Sequence, residues 1–180
     1  MENQAEVEAW DIHSHRTKLV EEASKRLGIN IIKTKVKDAT IYNEEYNEKF
    51  DKILLDVPCL GIGVLKRKPD IKWQRKKEDI EEISKIQMQI LETVSKYLKP
   101  KGELVYSTCS ILKEENENII KQFLEKNSNF YETPINLYET TQNDKNYFEK
   151  FLQDGCLQVY QNQETDGFFD ILHIKNPSVS

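Results

Sequence analysis

Short runs of consecutive apolar residues alternate along this chain with longer stretches in which apolar positions recur every three or four residues. The first pattern is that of a β-strand and the second that of an amphipathic helix, so strands and helices are predicted in succession. Residues 7–12 (VEAWDI) read as a strand ending in Asp11. Residues 14–27 read as a helix with Leu19, Val20, Ala23 and Leu27 on one stripe and Gly28 as its C-cap. A second strand, 29–36, runs toward Asp38. Ile53, Leu54 and Leu55 then form an unbroken apolar run, the pattern of a strand covered on both faces in a parallel sheet, and Asp56 stands where it ends. The longest helical repeat is 79–98, where Ile80, Ile83, Ile86, Ile90, Leu91, Val94, Tyr97 and Leu98 share a face and Pro100 with Gly102 stops the helix. A strand over 102–109 follows, then a helix over 114–127 with Ile119, Ile120, Phe123 and Leu124 on one side. Two short strands, 157–160 and 168–174, flank a turn containing Asp166 and Gly167 and make an antiparallel hairpin.

Alternating strands and helices closed by a hairpin predict a doubly wound α/β sheet. In such sheets ligands sit in the crevice beyond the carboxyl ends of the strands, and here Asp11, Asp38 and Asp56 stand at three of those ends. Any one of them reads equally well as a strand-end or helix-capping acid. Three in succession point to a ligand, and a carboxylate after the second strand can accept both ribose hydroxyls of a nucleoside. Beyond Asp56, Pro58 cannot donate to a ladder and Gly61 and Gly63 free the backbone to turn, which delivers Cys59 to the same rim.

Composition narrows the class. A chain of 180 residues, 38% apolar and 32% charged, fits one soluble domain with a core. No apolar run approaches a membrane span and the acidic start MENQAEVE is unlike a signal or transit peptide, so the expected location is cytoplasmic with no membrane partner. Three cysteines without CxxC spacing argue against a disulfide framework or a zinc finger and for reduced thiols. His13 and His15 alternate with Asp11, but no further ligands are spaced nearby, so a helix start explains them and no metal is expected. The net charge is -5, yet seven bases face one acid between Lys66 and Lys77. That excess reads as a solvated charged face or as a phosphate-neutralising groove, and Trp73 among the bases offers a surface for an unstacked base. Lys66, Arg67, Lys72 and Trp73 are the candidate RNA contacts.

DVPCLGIG at 56–63, YSTCS at 106–110 and the KRKPDIKW segment between them resemble the paired cysteine motifs of RNA cytosine-5 methyltransferases, closest to the bacterial Sun/RsmB (Fmu) ribosomal RNA enzymes. The resemblance covers nearly the whole chain. It departs at Leu60, where the family usually has serine, and in the glycine-rich cofactor loop, which has no counterpart. What it implies is a Rossmann-like S-adenosylmethionine-dependent methyltransferase sheet whose first, central strand and glycine loop precede this chain. It further implies that Asp11 holds the ribose of S-adenosylmethionine, that Asp38 approaches the adenine, and that Asp56 lies near the methionine end and the target base. Carbon 5 of cytosine is a poor nucleophile, and adding a thiolate at C6 first is the covalent solution. By resemblance Cys109 is that nucleophile, Cys59 assists breakdown of the adduct, and Asp56 hydrogen-bonds or protonates N3. Either thiol alone would read as a core residue, as Cys156 does. Asp166-Gly167-Phe168-Phe169 resembles the family's closing motif, which a turn followed by core aromatics explains nearly as well. The leading expectation is methylation of cytosine C5 in ribosomal RNA. A catalytically silent fragment that keeps RNA contact but cannot hold the cofactor is the alternative. A DNA cytosine methyltransferase is disfavoured, because its nucleophile sits in the Pro-Cys motif and it would lack the STCS cysteine.

Overall fold

A computed structural model of the chain describes residues 4–133, 152–153, 156–161 and 165–175. They form two compact units, Met1–Tyr42 and Asn43–Ser180. Among the described residues no helix is long and apolar enough to cross a membrane.

The first unit is a strand-helix-strand motif: β1 (Val7–Asp11), α1 (Ser14–Arg26) and β2 (Ile32–Val36). The strands pair in parallel from Val7↔Ile32 to Asp11↔Val36, so both point the same end toward Asp11 and Asp38. Gly28 takes the left-handed conformation at φ 67 that closes a helix, and Gly28 N and Ile29 N return to Lys25 O and Ser24 O at 3.2 and 2.9 Å. That closure occupies the residues expected to begin the second strand, which therefore starts at Ile32 rather than at 29. The expected apolar stripe of α1 is not its buried face: Leu19 and Leu27 are 60% and 59% exposed, whereas Thr17 and Ser24 are buried. Their hydroxyls donate back to Ser14 O and Val20 O at 2.9 and 2.7 Å, so each is buried without an unmet donor.

In the second unit the elements are β3 (Phe50–Asp56), α2 (Ile71–Gln74), α3 (Lys77–Val94), β4 (Leu98–Thr108), α4 (Glu117–Lys126), β5 (Phe130–Thr133), β6 (Leu152–Gln153), β7 (Cys156–Val159) and β8 (Phe168–Lys175). The sheet order is β3-β4-β8-β7-β6, with β5 also paired to β8. β3 and β4 are parallel; β8 is antiparallel to β4, β5 and β7. The expected hairpin of β7 and β8 is present, and β8 also forms the neighbour of β4. Leu91, Leu98, Leu104, Tyr106 and Phe123 make the fully buried centre of the core.

Three expectations change here. The apolar run of β3 is covered on one face only, because successive side chains alternate: Leu55 is buried and Leu54 is 70% exposed. The long helix ends at Val94, and a 3₁₀ turn, Ser95–Tyr97, passes directly into β4 at Leu98. Pro100 therefore lies in the strand, where the register shifts from Phe50↔Leu98 to Lys52↔Glu103 and Lys101 takes φ 67, so its missing N–H falls in a bulge. Finally, the helix expected from 114 begins at Glu117, because Glu115 and Asn116 turn their side chains back toward the end of β4.

Gly63 and Gly167 bring distant backbones into contact. Gly63 N donates to Cys109 O at 3.0 Å and Gly167 N donates to Gly63 O at 2.7 Å. A Cβ on Gly63 would collide with Gly167 O and lie 2.8 Å from Cys109 O, both main-chain atoms that cannot swing aside. The Asp166-Gly167 turn is thus a docking point for the loop that carries Cys59, reinforced by an ion pair between Asp166 and Arg67.

Gly63→Ala should destabilise the fold by about 1 to 3 kcal/mol through overpacking. Gly28→Ala, strained by its positive φ but with nothing within 4 Å, should lose about 1 kcal/mol. Urea denaturation of the two variants checks the order, and a Gly28→Ala loss larger than that of Gly63→Ala would contradict the close-contact reading.

Candidate active site

Parallel pairing brings the ends of β3 and β4 level, with Asp56 opposite Ser107. Val57 N extends the ladder to Ser107 O at 3.1 Å before the two chains leave the sheet. Gly61 then takes φ 73, which turns the first loop back across the end of the second strand. Along β4, Leu104, Tyr106 and Thr108 are fully buried while Val105 and Ser107 are half-buried, and Cys109 continues the half-open side. As a result Cys59 Sγ and Cys109 Sγ meet at 2.8 Å.

A shell of buried polar groups holds the two loops from beneath. Asn116 accepts the Thr108 hydroxyl at 2.7 Å on Oδ1 and donates from Nδ2 to Ser110 O at 3.0 Å. Glu115 accepts Ser110 Oγ at 2.6 Å on one carboxylate oxygen, and Leu60 N at 2.9 Å and Gln87 Nε2 at 3.0 Å on the other. Gln87 Nε2 also donates to Pro58 O at 2.8 Å, and the Tyr106 hydroxyl donates to the main-chain oxygen of Glu115 at 2.7 Å. Pro58, Leu60, Tyr106, Thr108 and Ser110 belong to the two cysteine motifs, whereas Gln87, Glu115 and Asn116 do not stand out in the sequence. Glu115 and Asn116 follow YSTCS closely and read only as the polar start of a helix, and Gln87 reads as a stray polar position in an apolar stripe.

The thiols are electrostatically unequal. Either sulfur can donate in the Cys59–Cys109 contact; donated from Cys59, the bond joins a hydrogen bond from the Cys109 backbone in stabilising the Cys109 thiolate and bringing its pKa down to about 7, against the opposing effects of burial and of the Asp56 and Glu115 charges. The same bond, with burial, pushes Cys59 far above the ordinary thiol range. Desolvation raises the Asp56 pKa, although the residue keeps an exposed edge. Asp170 on β8 is opposite Ser107, so Asp56, Ser107 and Asp170 form a row across three strands. Desolvation raises the Asp170 pKa first; a Ser107 hydrogen bond opposes that rise and the Asp56 charge adds to it. A charged residue inside the apolar run FFDIL is the sequence signal that could have marked Asp170.

The remaining candidates fall into two groups. In the first unit, Asp11 accepts His13 N at 2.8 Å and pairs with Arg16 at 3.5 Å. Asp38 accepts Thr40 Oγ1 and Thr40 N at 2.6 and 2.9 Å, and these bonds lower its pKa, the hydroxyl's first. Each acid thus closes a short side-chain turn onto the backbone two residues on, the strand-end reading rather than a helix cap. The His13 and His15 rings lie 5.5 Å apart, and among the described residues no three His, Cys, Asp or Glu side chains gather as metal ligands. In the second unit, Lys66, Arg67, Lys72 and Trp73 are all exposed, Trp73 at 81%. Lys72 Nζ sits 5.6 Å from the centre of the Trp73 ring, and Arg67 is held by Asp166. Cys156 on β7 is half-buried.

Over residues 1–172 the sequence matches the family described as 16S rRNA methyltransferase RsmB/F. It is 40% identical over 174 residues to the probable ribosomal RNA small subunit methyltransferase B of Bacillus subtilis, a match that covers 94% of this chain and 37% of that relative. Among solved structures it is similar to NSun6 from Pyrococcus horikoshii, with a TM-score of 0.75 and 29% identity over 97% of this chain and 42% of that one. A methyltransferase homolog protein from the same organism gives a TM-score of 0.74 and 31% identity over 97% of this chain and 55% of that one. The fold is accordingly the predicted Rossmann-like α/β class. The chain spans little more than a third of the length of the curated relative, 37%.

If the S–H of Cys59 is what acidifies Cys109, the rate of Cys109 alkylation by iodoacetamide should rise through a midpoint of about pH 7. Cys59→Ala removes the donor, so the midpoint should move up toward the ordinary thiol value of about 8.5. Peptide mass spectrometry across a pH series reads both rates, and a midpoint that stays put in Cys59→Ala would rule out the assigned donor.

Proposed function

Because the chain belongs to the 16S rRNA methyltransferase RsmB/F family, we propose that it carries the catalytic half of an S-adenosylmethionine-dependent enzyme that methylates C5 of a cytosine in ribosomal RNA. The observation that carries this reading is the contact of Cys59 and Cys109 at 2.8 Å, beside the carboxylate that ends the neighbouring strand.

Cys109, with its lowered pKa, attacks C6 of the cytosine, and the S–C6 bond forms as the C5–C6 π electrons shift into the ring. Asp56 has a raised pKa, so it can hold a proton and donate it at N3, where that charge collects. When bound, S-adenosylmethionine supplies an electrophilic methyl group to the enamine carbon C5. Cys59 assists breakdown of the adduct: the C5 proton passes to solvent beside it, N3 returns its proton to Asp56, the S–C6 bond breaks as the ring double bond returns, and Cys109 leaves as thiolate. For the cofactor, Asp11 and Asp38 offer carboxylates at or just past the carboxyl ends of two adjacent parallel strands, a pair of acceptors that suits the hydroxyls of a nucleoside. Lys66 and Lys72 neutralise RNA phosphates, and exposed Trp73 takes an unstacked base. Arg67, tied to Asp166, anchors that segment to the loop below it.

One observation favours a second reading, a catalytically silent chain that keeps RNA contact without holding the cofactor. Asp11 and Asp38 follow the strands of a two-stranded sheet, whereas Asp56 ends a strand of the six-stranded one.

Two measurements separate the readings. In a chain extended to the length of its relatives and incubated with ribosomal RNA, Cys59→Ala should retain a covalent RNA adduct on a denaturing gel and Cys109→Ala should not; the reverse pattern overturns the role assignment. Titration calorimetry with S-adenosylmethionine should show weak binding by the 180-residue chain and micromolar binding by the extended one. Micromolar binding by the short chain removes the second reading.

A further inference from the structure

Glu115 is fully buried and belongs to neither cysteine loop, yet both loops are fastened to it. Its two carboxylate oxygens divide the work: one takes Leu60 N, the residue after Cys59, and the other takes the hydroxyl of Ser110, the residue after Cys109. Gln87 braces the same side from α3, joining that carboxylate to Pro58 O just ahead of Cys59. The Tyr106 hydroxyl fixes the main chain of Glu115 itself. The side-chain donors found on this carboxylate and the Leu60 amide are neutral, and a buried carboxylate held by neutral donors is expensive to retain unless its position is needed.

We propose that Glu115 is the positioning residue of the cysteine pair: it spans the two loops so that Cys59 is held against Cys109. The purpose of that hold rests on the reading of Cys109 as the nucleophile, but the hold itself is independent of RNA and cofactor. Cys109 is faced by Cys59 from the loop after β3, by Asp56 at the end of β3 and by Glu115 ahead of α4. Of these, only Cys59 favours the thiolate. Glu115 therefore acts on Cys109 in two opposite ways: its charge disfavours the thiolate directly, and its hydrogen bonds favour it by keeping the Cys59 donor in place. The two effects predict opposite outcomes when the side chain is removed.

The test is the pH dependence of Cys109 alkylation in the 180-residue chain, with near-ultraviolet circular dichroism to confirm folding. In Glu115→Ala the loops are released, and the midpoint should rise by more than a unit, slowing alkylation at pH 7 about tenfold. Glu115→Gln should rescue it. Its carboxamide oxygen can accept Leu60 N and Gln87 Nε2 and its NH₂ can donate to Ser110 Oγ, so the midpoint stays at or below that of the parent. A midpoint that falls or does not move in folded Glu115→Ala overturns the proposal and leaves Glu115 a mere neighbouring charge or a core filler. Should Glu115→Ala fail to fold, Ser110→Ala decides: cutting the tether on the Cys109 side should raise the midpoint, and an unchanged midpoint overturns the proposal equally. Absence of an RNA adduct in the extended chain would count against the methylation reading while leaving this result untouched.

Discussion

Parallel strands leave a sheet in the same direction, so the loops beyond β3 and β4 depart side by side, and the pairing of Asp56 with Ser107 sets how far along each loop a side chain must be to meet the other. Cys59 lies three residues past that level on one strand and Cys109 two residues past it on the other, as the numbering shows. A slip of one residue in the β3–β4 ladder would turn the side chains beyond it to the opposite face. The bulge at Pro100 and Lys101 lies at the far end of the ladder from the thiols, so the irregularity is absorbed where no chemistry depends on it.

The electrostatics of the pair is a contest that distance decides. Burial, Asp56 and Glu115 all oppose a negative sulfur at position 109, and the sulfur hydrogen bond at 2.8 Å, helped by a hydrogen bond from the Cys109 backbone, outweighs them. That balance holds only for a short contact, since a donated S–H is a directional interaction while charges act over several ångströms. Neutral donors from main chain, amide and hydroxyl secure the contact without placing a lysine or arginine beside it, which would lower both thiols together and erase the difference between them.

Much of this was legible in the sequence, because the signals are local. An apolar run ending in an acid, a proline and two glycines announces a strand that stops at a rim, and Asp56, Cys59 and Gly61 are found there. The second cysteine motif likewise ends a strand. What escaped reading is relational. Leu54 and Leu55 look alike in the chain, and only the alternation of the pleat decides that one is buried and the other 70% exposed. Pro100 reads as a helix stop until the partner strand shows a bulge that accepts it. Glu115 reads as one more acid in KEENEN, since its meaning lies in Leu60 and Gln87, which are remote in sequence. The candidate cofactor acids lie at or just past the ends of β1 and β2, and their bonds to His13 and Thr40 close short side-chain turns there.

The contact between the backbones of Gly63 and Gly167 has a bearing on the order in which the protein is made. The main-chain group of Gly167 that closes over the loop carrying Cys59 stands just ahead of β8 and is synthesised about a hundred residues after that loop. β8 is also the strand that joins β4 to β7, so the sheet stays divided until that strand arrives. During synthesis, then, the loop carrying Cys59 stays without its Gly167 contact until those later residues arrive. Nascent chains halted before Gly167 carry both cysteines while the loop of Cys59 lacks this backbone clasp.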